Sequence, residues 1–419
     1  MAWLLALGRL SAVDAAPLDA RGPGQEDGVP NFPTMAYLPM PKAVDYLLID
    51  DVNQDQKLDL LLTSHGGNLA RLFLQQEGRH WQAGPPLPQV GFHPGYLLRI
   101  PEPGPSPQYL ALAEGDAQFK ILAPQSSGDF RVMSEIPAAA PRAGTWFTWP
   151  GWGQGLAYGS YADSIVILVK GFDTQRMEDA RAVELRFNPN FERIESFTTA
   201  DIDGDGIEEV LFFNSGLNAV QFIRYPGPDQ VPKIEFLWIL PKGGKSHGVI
   251  AADLDQDGDI DILVPDQVGQ DPEGTTALNL FLNEGRGDWR PDCIKIPLPA
   301  GGQPGIRSAD FGVDQDGQGY VLAAGYRHLA LVRIPPRRNG HDAPEIEAPE
   351  IRLVHLPKKT GIPQILIRDL DGDGWLDGVI ANSLGAGLGG RVIYGPLWTG
   401  FEVLQSEGFP PGQSHQDIR

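Results

Sequence analysis

Apolar residues in this chain come in short runs bounded by Gly, Pro, Asp or Asn, and the runs fall in pairs around polar turns. Residues 365–367 and 379–381 flank one such turn, and residues 210–213 and 262–264 each follow another. Residues 96–99 pair with 109–113, and 146–148 with 155–158, around turns rich in Pro or Gly. A further run follows in each unit, at residues 71–74, 119–122, 164–169, 220–223, 329–332 and 391–394. This pattern predicts short strands joined by tight turns, and therefore an all-β chain. Helical spacing is confined to residues 175–182, a turn or two ahead of a strand at 183–187. Residues 35–40 read as the first ordered strand, and residues 335–349 and 410–419 as loop and tail.

The most regular polar turn is Asp369-Leu370-Asp371-Gly372-Asp373-Gly374-Trp375-Leu376-Asp377. Acidic side chains at positions 1, 3, 5 and 9 of a tight turn can aim their oxygens at one hard cation, and Gly374 at position 6 permits the bend. The pattern also opens an EF-hand, which requires a bidentate Glu at position 12. That position holds Ile380, so the loop joins two strands and reads as a calcium hairpin, with Asp369, Asp371, Asp373, Asp377 and the position-7 carbonyl as ligands. The same frame recurs as Asp201, Asp203, Asp205 and Glu209, and as Asp253, Asp255, Asp257 and Asp261. An earlier copy, Asp51, Asn53, Asp55 and Asp59, has Gln56 where the turn favours glycine and is expected to bind more weakly. A decayed copy near Asp310 keeps Asp314, Asp316 and Gly317 but has Gly312 at position 1 and Tyr320 at position 9, and is expected to be metal-free.

These loops, with the closing turn Asn283-Glu284-Gly285-Arg286-Gly287-Asp288-Trp289, resemble the FG-GAP or VCBS repeat family, the propeller repeats of integrin α-chain heads and of many bacterial exported proteins. The resemblance implies a β-propeller with calcium in its hairpins. Loop starts at Asp51, Asp201, Asp253 and Asp369 fit spacings of three, one and two units of roughly fifty to fifty-eight residues. Counting the two units without acidic loops gives a seven-bladed β-propeller over residues 35–398. Repetition of blades explains how the chain exceeds the size at which a single core usually stops growing. Ring closure is expected to pair an N-terminal strand with C-terminal ones, since two sheet edges would otherwise stand exposed.

The formal charge is −21, from 54 acidic and 33 basic residues, with no basic run of the kind that tracks a phosphate backbone. Nucleic acid is therefore excluded as the expected partner. The single cysteine, Cys293, excludes an intrachain disulfide and a C-x-x-C motif. Residues 1–16 resemble a short signal peptide without a basic start, and residues 17–34 an extended leader, so export to the periplasm or cell exterior is expected. Residues 399–419 read as a C-terminal tail. No stretch reaches the ~20 apolar residues of a membrane span, and a monomer is expected.

No H-E-x-x-H, G-x-S-x-G or P-loop pattern occurs, so no catalytic residue is assigned. His65 and His247, each between Ser and Gly, read as satisfied loop histidines, and Arg286-Gly287-Asp288 as part of the closing turn. The densest aromatic cluster, Trp146, Phe147, Trp149, Trp152, Tyr158 and Tyr161, could stack a ligand through Trp146, Trp149, Trp152 and Tyr158, or could fill the space between blades. Two functions compete: a calcium-stabilised module that binds a protein or glycan, and a polysaccharide-acting enzyme of lyase or dehydratase type. Arg, Lys, His and Tyr converging at one end of the channel would favour the enzyme.

Overall fold

The computed structural model describes residues 35–101, 106–125, 128–160, 165–172, 181–186, 194–239, 246, 248–266, 276–289, 293–298, 306–325, 328–336, 349–355, 364–382 and 389–407. The signal and leader segments, Tyr161, His247 and most of the 175–182 stretch lie outside the described residues, and Arg181 already begins a strand, Arg181–Arg186.

Seven four-stranded antiparallel sheets form a seven-bladed β-propeller. The first strands of the blades are Tyr46–Asp50, Pro94–Arg99, Pro141–Trp149, Ile194–Ala200, Ile250–Ala252, Ile306–Val313 and Ile365–Arg368, and successive first strands pack on one another around the axis. Five of the second strands, Asp59–Ser64, Tyr109–Ala113, Glu209–Asn214, Asp261–Pro265 and Gly319–Gly325, are buried at every residue. Neighbouring blades cover both faces of a second strand, which is why these segments are continuous apolar runs rather than alternating ones. The outermost strand of blade 2, Phe130–Pro137, has solvent on one face and, after the buried Phe130, alternates exposed with half-buried positions.

Packing follows the same logic. Each hydrophobic cluster joins two adjacent blades: Leu47, Leu60 and Phe73 of blade 1 meet Val379 and Val392 of blade 7, and Phe213 and Val220 of blade 4 meet Ile262 and Phe281 of blade 5. Stability is therefore distributed over blade-to-blade interfaces rather than concentrated in one core.

The ring closes as the edge argument requires. Met35–Pro39 is the outermost strand of blade 7 and pairs antiparallel with Gly389–Ile393, with Met35 opposite Ile393. Leu38 is fully buried there, and the buried Arg391 guanidinium lies over the Tyr37 ring at 5.5 Å. At the adjoining seam Trp81 Nε1 of blade 1 donates to Tyr394 Oη at 2.7 Å, and Tyr394 Oη donates to the Arg79 carbonyl at 3.0 Å.

One element departs from the sequence reading. A helix, Leu397–Glu407, runs across the boundary placed at residue 398 and occupies the first part of the expected tail. Its Leu397, Phe401 and Leu404 share one face and pack on Leu322, Val354 and Ile380 of blades 6 and 7. Arg352 anchors it from outside, its guanidinium 4.3 Å from the Trp398 ring and 3.2 Å from Glu402. Gly400 lowers the intrinsic helix propensity of this segment, so tertiary packing rather than local preference holds it.

Candidate metal centres

Antiparallel blades send the turn between strands one and two, and that between strands three and four, to one face of the ring, and the remaining turns to the other. All four carboxylate loops are turns between strands one and two, so they share a face. Their local fold is written in the backbone hydrogen bonds of the acidic residues. Position 1 caps the turn: Asp201 accepts from Gly204 and Gly206 N–H at 2.8 Å each, and Asp369 from Gly372 and Gly374 at 2.9 Å each. Asp51 and Asp253 accept in the same way from Gln56 at 2.9 Å and Gly258 at 3.1 Å. Position 5 braces the second half, with Asp55, Asp205, Asp257 and Asp373 each accepting from the position-7 N–H at 2.8–3.0 Å.

Two residues of each loop take left-handed backbone, not one. Position 4 has φ of 63° at Gln54, 72° at Gly204, 60° at Gln256 and 76° at Gly372, beside the expected positive φ at position 6. Blade 1 thus holds two glutamines, Gln54 and Gln56, in a region that costs a residue with a Cβ about 1–2 kcal/mol. Gln56→Gly is expected to raise stability by about 0.5–1 kcal/mol after allowing for the extra chain entropy of glycine, measured by denaturant melts in chelator.

Position 9 is the hub. Asp59, Glu209, Asp261 and Asp377 are at most 1% exposed, and each accepts from the position-2 N–H: Val52 at 3.1 Å, Ile202 at 3.1 Å, Leu254 at 2.9 Å and Leu370 at 2.9 Å. The other carboxylate oxygen of Asp59, Asp261 and Asp377 accepts from the chain at the end of the third strand or just beyond it, at Gln75 (2.9 Å), Asn283 (2.9 Å) and Gly395 (2.7 Å). Gly395 is required for that approach, because a Cβ there would lie 2.6 Å from the Leu376 carbonyl oxygen. Burial pushes these acids far above the ordinary carboxylate range, to about 7 for Asp59, Glu209 and Asp377 and about 8 for Asp261, against the lowering effect of the N–H donors.

Positions 1, 3 and 9 converge. Asp201, Asp203 and Glu209 in blade 4, Asp253, Asp255 and Asp261 in blade 5, and Asp369, Asp371 and Asp377 in blade 7 each bring three carboxylate oxygens within 4.8 Å of one another. Position 5 lies outside these triangles, with one carboxylate oxygen on the position-7 N–H. In blade 1 position 3 is Asn53, whose Nδ2 donates to Asp55 at 3.1 Å, so the matching triangle has an amide in place of one carboxylate. Oxygen-only donor sets of this kind fit a hard divalent cation and suit calcium better than zinc or copper.

Arginines flank two of the triangles. Arg224 lies 3.2 Å from Asp203 and 3.3 Å from Glu209. Arg79, carried by the turn between strands three and four of blade 1, crosses the ring seam to Asp371 at 2.5 Å and Asp373 at 2.8 Å in blade 7. Sequence reasoning missed both, since neither lies within the loop it serves. For Arg224 the near-repetition of a polar residue at the end of the third strand or just beyond it (Gln75, Arg224, Asn283) was the available signal; Arg79 had none.

The decayed loop of blade 6 turns outward to its neighbour: Gln315 N–H donates to the Gly374 carbonyl at 3.0 Å. The aromatic cluster is divided between two interfaces. Phe147, Trp149 and Trp152 are buried between blades 3 and 4, and Tyr158, with Trp146 against it, between blades 2 and 3. With Trp149, Trp152 and Tyr158 no more than 5% exposed, their faces are used in packing and offer no platform for stacking a ligand.

Residues 189–264, which span blade 4 and the loop of blade 5, match the FG-GAP-like repeat. No curated protein matches this chain. Among solved structures, a Bacteroides uniformis ATCC 8492 protein described as a "putative 6-phosphogluconolactonase" is similar at 13% identity and a TM-score of 0.47, covering 74% of this chain and 88% of its own. The chain carries an FG-GAP-like repeat in a seven-bladed β-propeller whose hairpin loops gather acidic clusters.

Proposed function

We propose that the loops of blades 4, 5 and 7 bind calcium strongly and that of blade 1 weakly, and that the ions rigidify an exported propeller that acts as a binding module for a protein or glycan. The observation that carries this reading is the convergence of three carboxylates within 4.8 Å in each of three loops, with the position-9 acid wholly inside the protein. Such a group is costly to ionise unless a cation shares its oxygens. The ions contribute to stability rather than catalysis, because every ligand comes from one hairpin and the buried side of the site is closed by backbone N–H groups. Extracellular calcium modules bind at about 10⁻⁴ to 10⁻³ M, so loops of that affinity would fill in a calcium-rich compartment; the export reading itself rests on residues 1–16.

A glycan array and a pull-down from extracellular fluid, each run with calcium and with chelator, test the role. Capture of a defined partner that is lost in chelator and restored by calcium is the expected result. Two findings overturn it: full-length, unprocessed chain in the cytoplasm, or a polysaccharide turned over at a rate that falls with Asp371→Ala while folding stays intact. The enzyme reading draws support from a separate observation, the grouping of His65, His93 and Glu114 with Arg142 and Tyr46 on the other face of the ring.

A further inference from the structure

On the face opposite the carboxylate loops, three segments meet where blades 1 and 2 adjoin. His65 lies in the turn after the second strand of blade 1, His93 in the connection leading to Pro94–Arg99, and Glu114 in the turn after Tyr109–Ala113. One ligand atom from each lies within 4.8 Å of the others, and all three residues are partly buried.

Each side chain is set by its surroundings. His65 Nδ1 is 3.2 Å from the Pro94 carbonyl oxygen, an acceptor only, so Nδ1 carries the proton and Nε2 presents its lone pair. A ring held by Nδ1–H to a backbone carbonyl is the usual second layer of a metal-bound histidine. The His65 backbone N–H is in turn fixed on Asp45 at 3.0 Å. His93 is held in left-handed backbone, φ 46°, with its N–H on Asn68 Oδ1 at 2.9 Å. Its ring stacks on Phe92 at 4.3 Å and meets the His65 ring at 4.6 Å. Glu114 is only 10% exposed, and its Oε2 accepts no hydrogen bond, with Arg142 Nη1 at 3.7 Å as its charged neighbour.

We propose that His65, His93 and Glu114 form a second metal centre, for a d-block divalent ion such as zinc, with at least one coordination position left for water or for the carboxylate of an anionic ligand. Two imidazoles and one carboxylate are a borderline-soft donor set that selects zinc or iron over calcium, and three protein ligands leave a tetrahedral ion open. The surroundings favour an anionic ligand. Arg142 is held beside the site by Tyr46 Oη at 3.2 Å, and Arg307, from blade 6 across the ring, acts with Arg142 on the Asp45 carboxylate. Tyr46 and Tyr96, ring centroids 4.6 Å apart, add flat apolar surface next to these charges. The inference does not depend on calcium in the loops, which lie on the other face.

The test uses the full chain with calcium in excess, so that the carboxylate loops do not compete for the probe. Zinc is titrated calorimetrically and cobalt(II) is followed by its visible absorption, in wild type, His65→Gln and Glu114→Gln. Expected are one zinc per chain, a cobalt band of a four- or five-coordinate N/O site, and at least about a tenfold loss of affinity in each variant. A cooperative melting transition and a near-UV circular dichroism spectrum like those of wild type, both recorded without zinc, certify that the variants are folded. Should a variant lack them, His93→Asn replaces it. Zinc bound equally by wild type and folded variants, or no zinc and no cobalt bound by wild type, overturns the proposal.

Discussion

Chelation will lower the melting temperature of this protein by roughly 5–10 °C relative to about 1 mM calcium, and the deficit will be larger at pH 8 than at pH 6. The size follows from mass action: three sites filled about tenfold above their dissociation constants contribute about 1.4 kcal/mol each. The pH dependence follows from the position-9 acids. Burial raises Asp59, Glu209 and Asp377 to about 7 and Asp261 to about 8, whereas unfolded carboxylates titrate near 4. A raised folded value means that the native metal-free state holds more protons than the unfolded one between those limits. Stability of the chelated protein therefore falls as pH rises from about 4 toward 8, as these carboxylates lose protons inside the protein. Calcium removes that loss by binding the ionised form, so its increment grows over the same window. Melting curves at pH 6, 7 and 8 with calcium or chelator check both statements; a calcium increment independent of pH would contradict the assignment of position 9 to the ion.

Asp377→Ala will be the most damaging single substitution among the loop acids, costing about 3 kcal/mol or more even in chelator near pH 4, where the carboxyl is protonated and its burial costs nothing. Its two oxygens accept the buried N–H groups of Leu370 and Gly395 at 2.9 and 2.7 Å, and each orphaned donor costs about 1–3 kcal/mol. Asp371→Ala isolates the other contribution. Its carboxylate serves the triangle, the Arg79 pair and a long bond from the Asp373 N–H, and Arg79 keeps Asp373 as a partner, so in chelator the loss should stay below that of Asp377→Ala, while the calcium-dependent gain shrinks by one site's share. Denaturant melts of both variants with and without calcium separate the hub from the ligand. Equal losses for the two in chelator would show that position 9 is not a hub.

The architecture was legible because a propeller repeats one strand-turn-strand unit, and seven such units could be counted even where two had lost their acidic turns. Blades 2 and 3 reveal themselves through the paired apolar runs that become Pro94–Arg99 with Tyr109–Ala113 and Pro141–Trp149 with Gly153–Ser160. Closure by Met35–Pro39 was legible for the same reason, since an open ring would leave two edges. The helix Leu397–Glu407 was not, because Gly400 breaks its local preference and its apolar face is defined only by blades 6 and 7. Within the loops, the spacing of acids identified the converging set but not the division of labour: position 9 is the buried hub, and position 4 shares the left-handed conformation. Arg79, 292 residues from Asp371, and the His65, His93 and Glu114 group are assembled by turns from different blades that share a face. No local pattern marks such a meeting, and His65 alone read as an ordinary loop residue.

Anomalous diffraction from crystals grown in about 5 mM calcium, several times the ~10⁻³ M upper end for extracellular modules, tests the central claim most directly. The account predicts three strong calcium peaks, enclosed by Asp201, Asp203 and Glu209, by Asp253, Asp255 and Asp261, and by Asp369, Asp371 and Asp377, with a weaker fourth beside Asp51 and Asp59. Loops without calcium peaks under those conditions would contradict it.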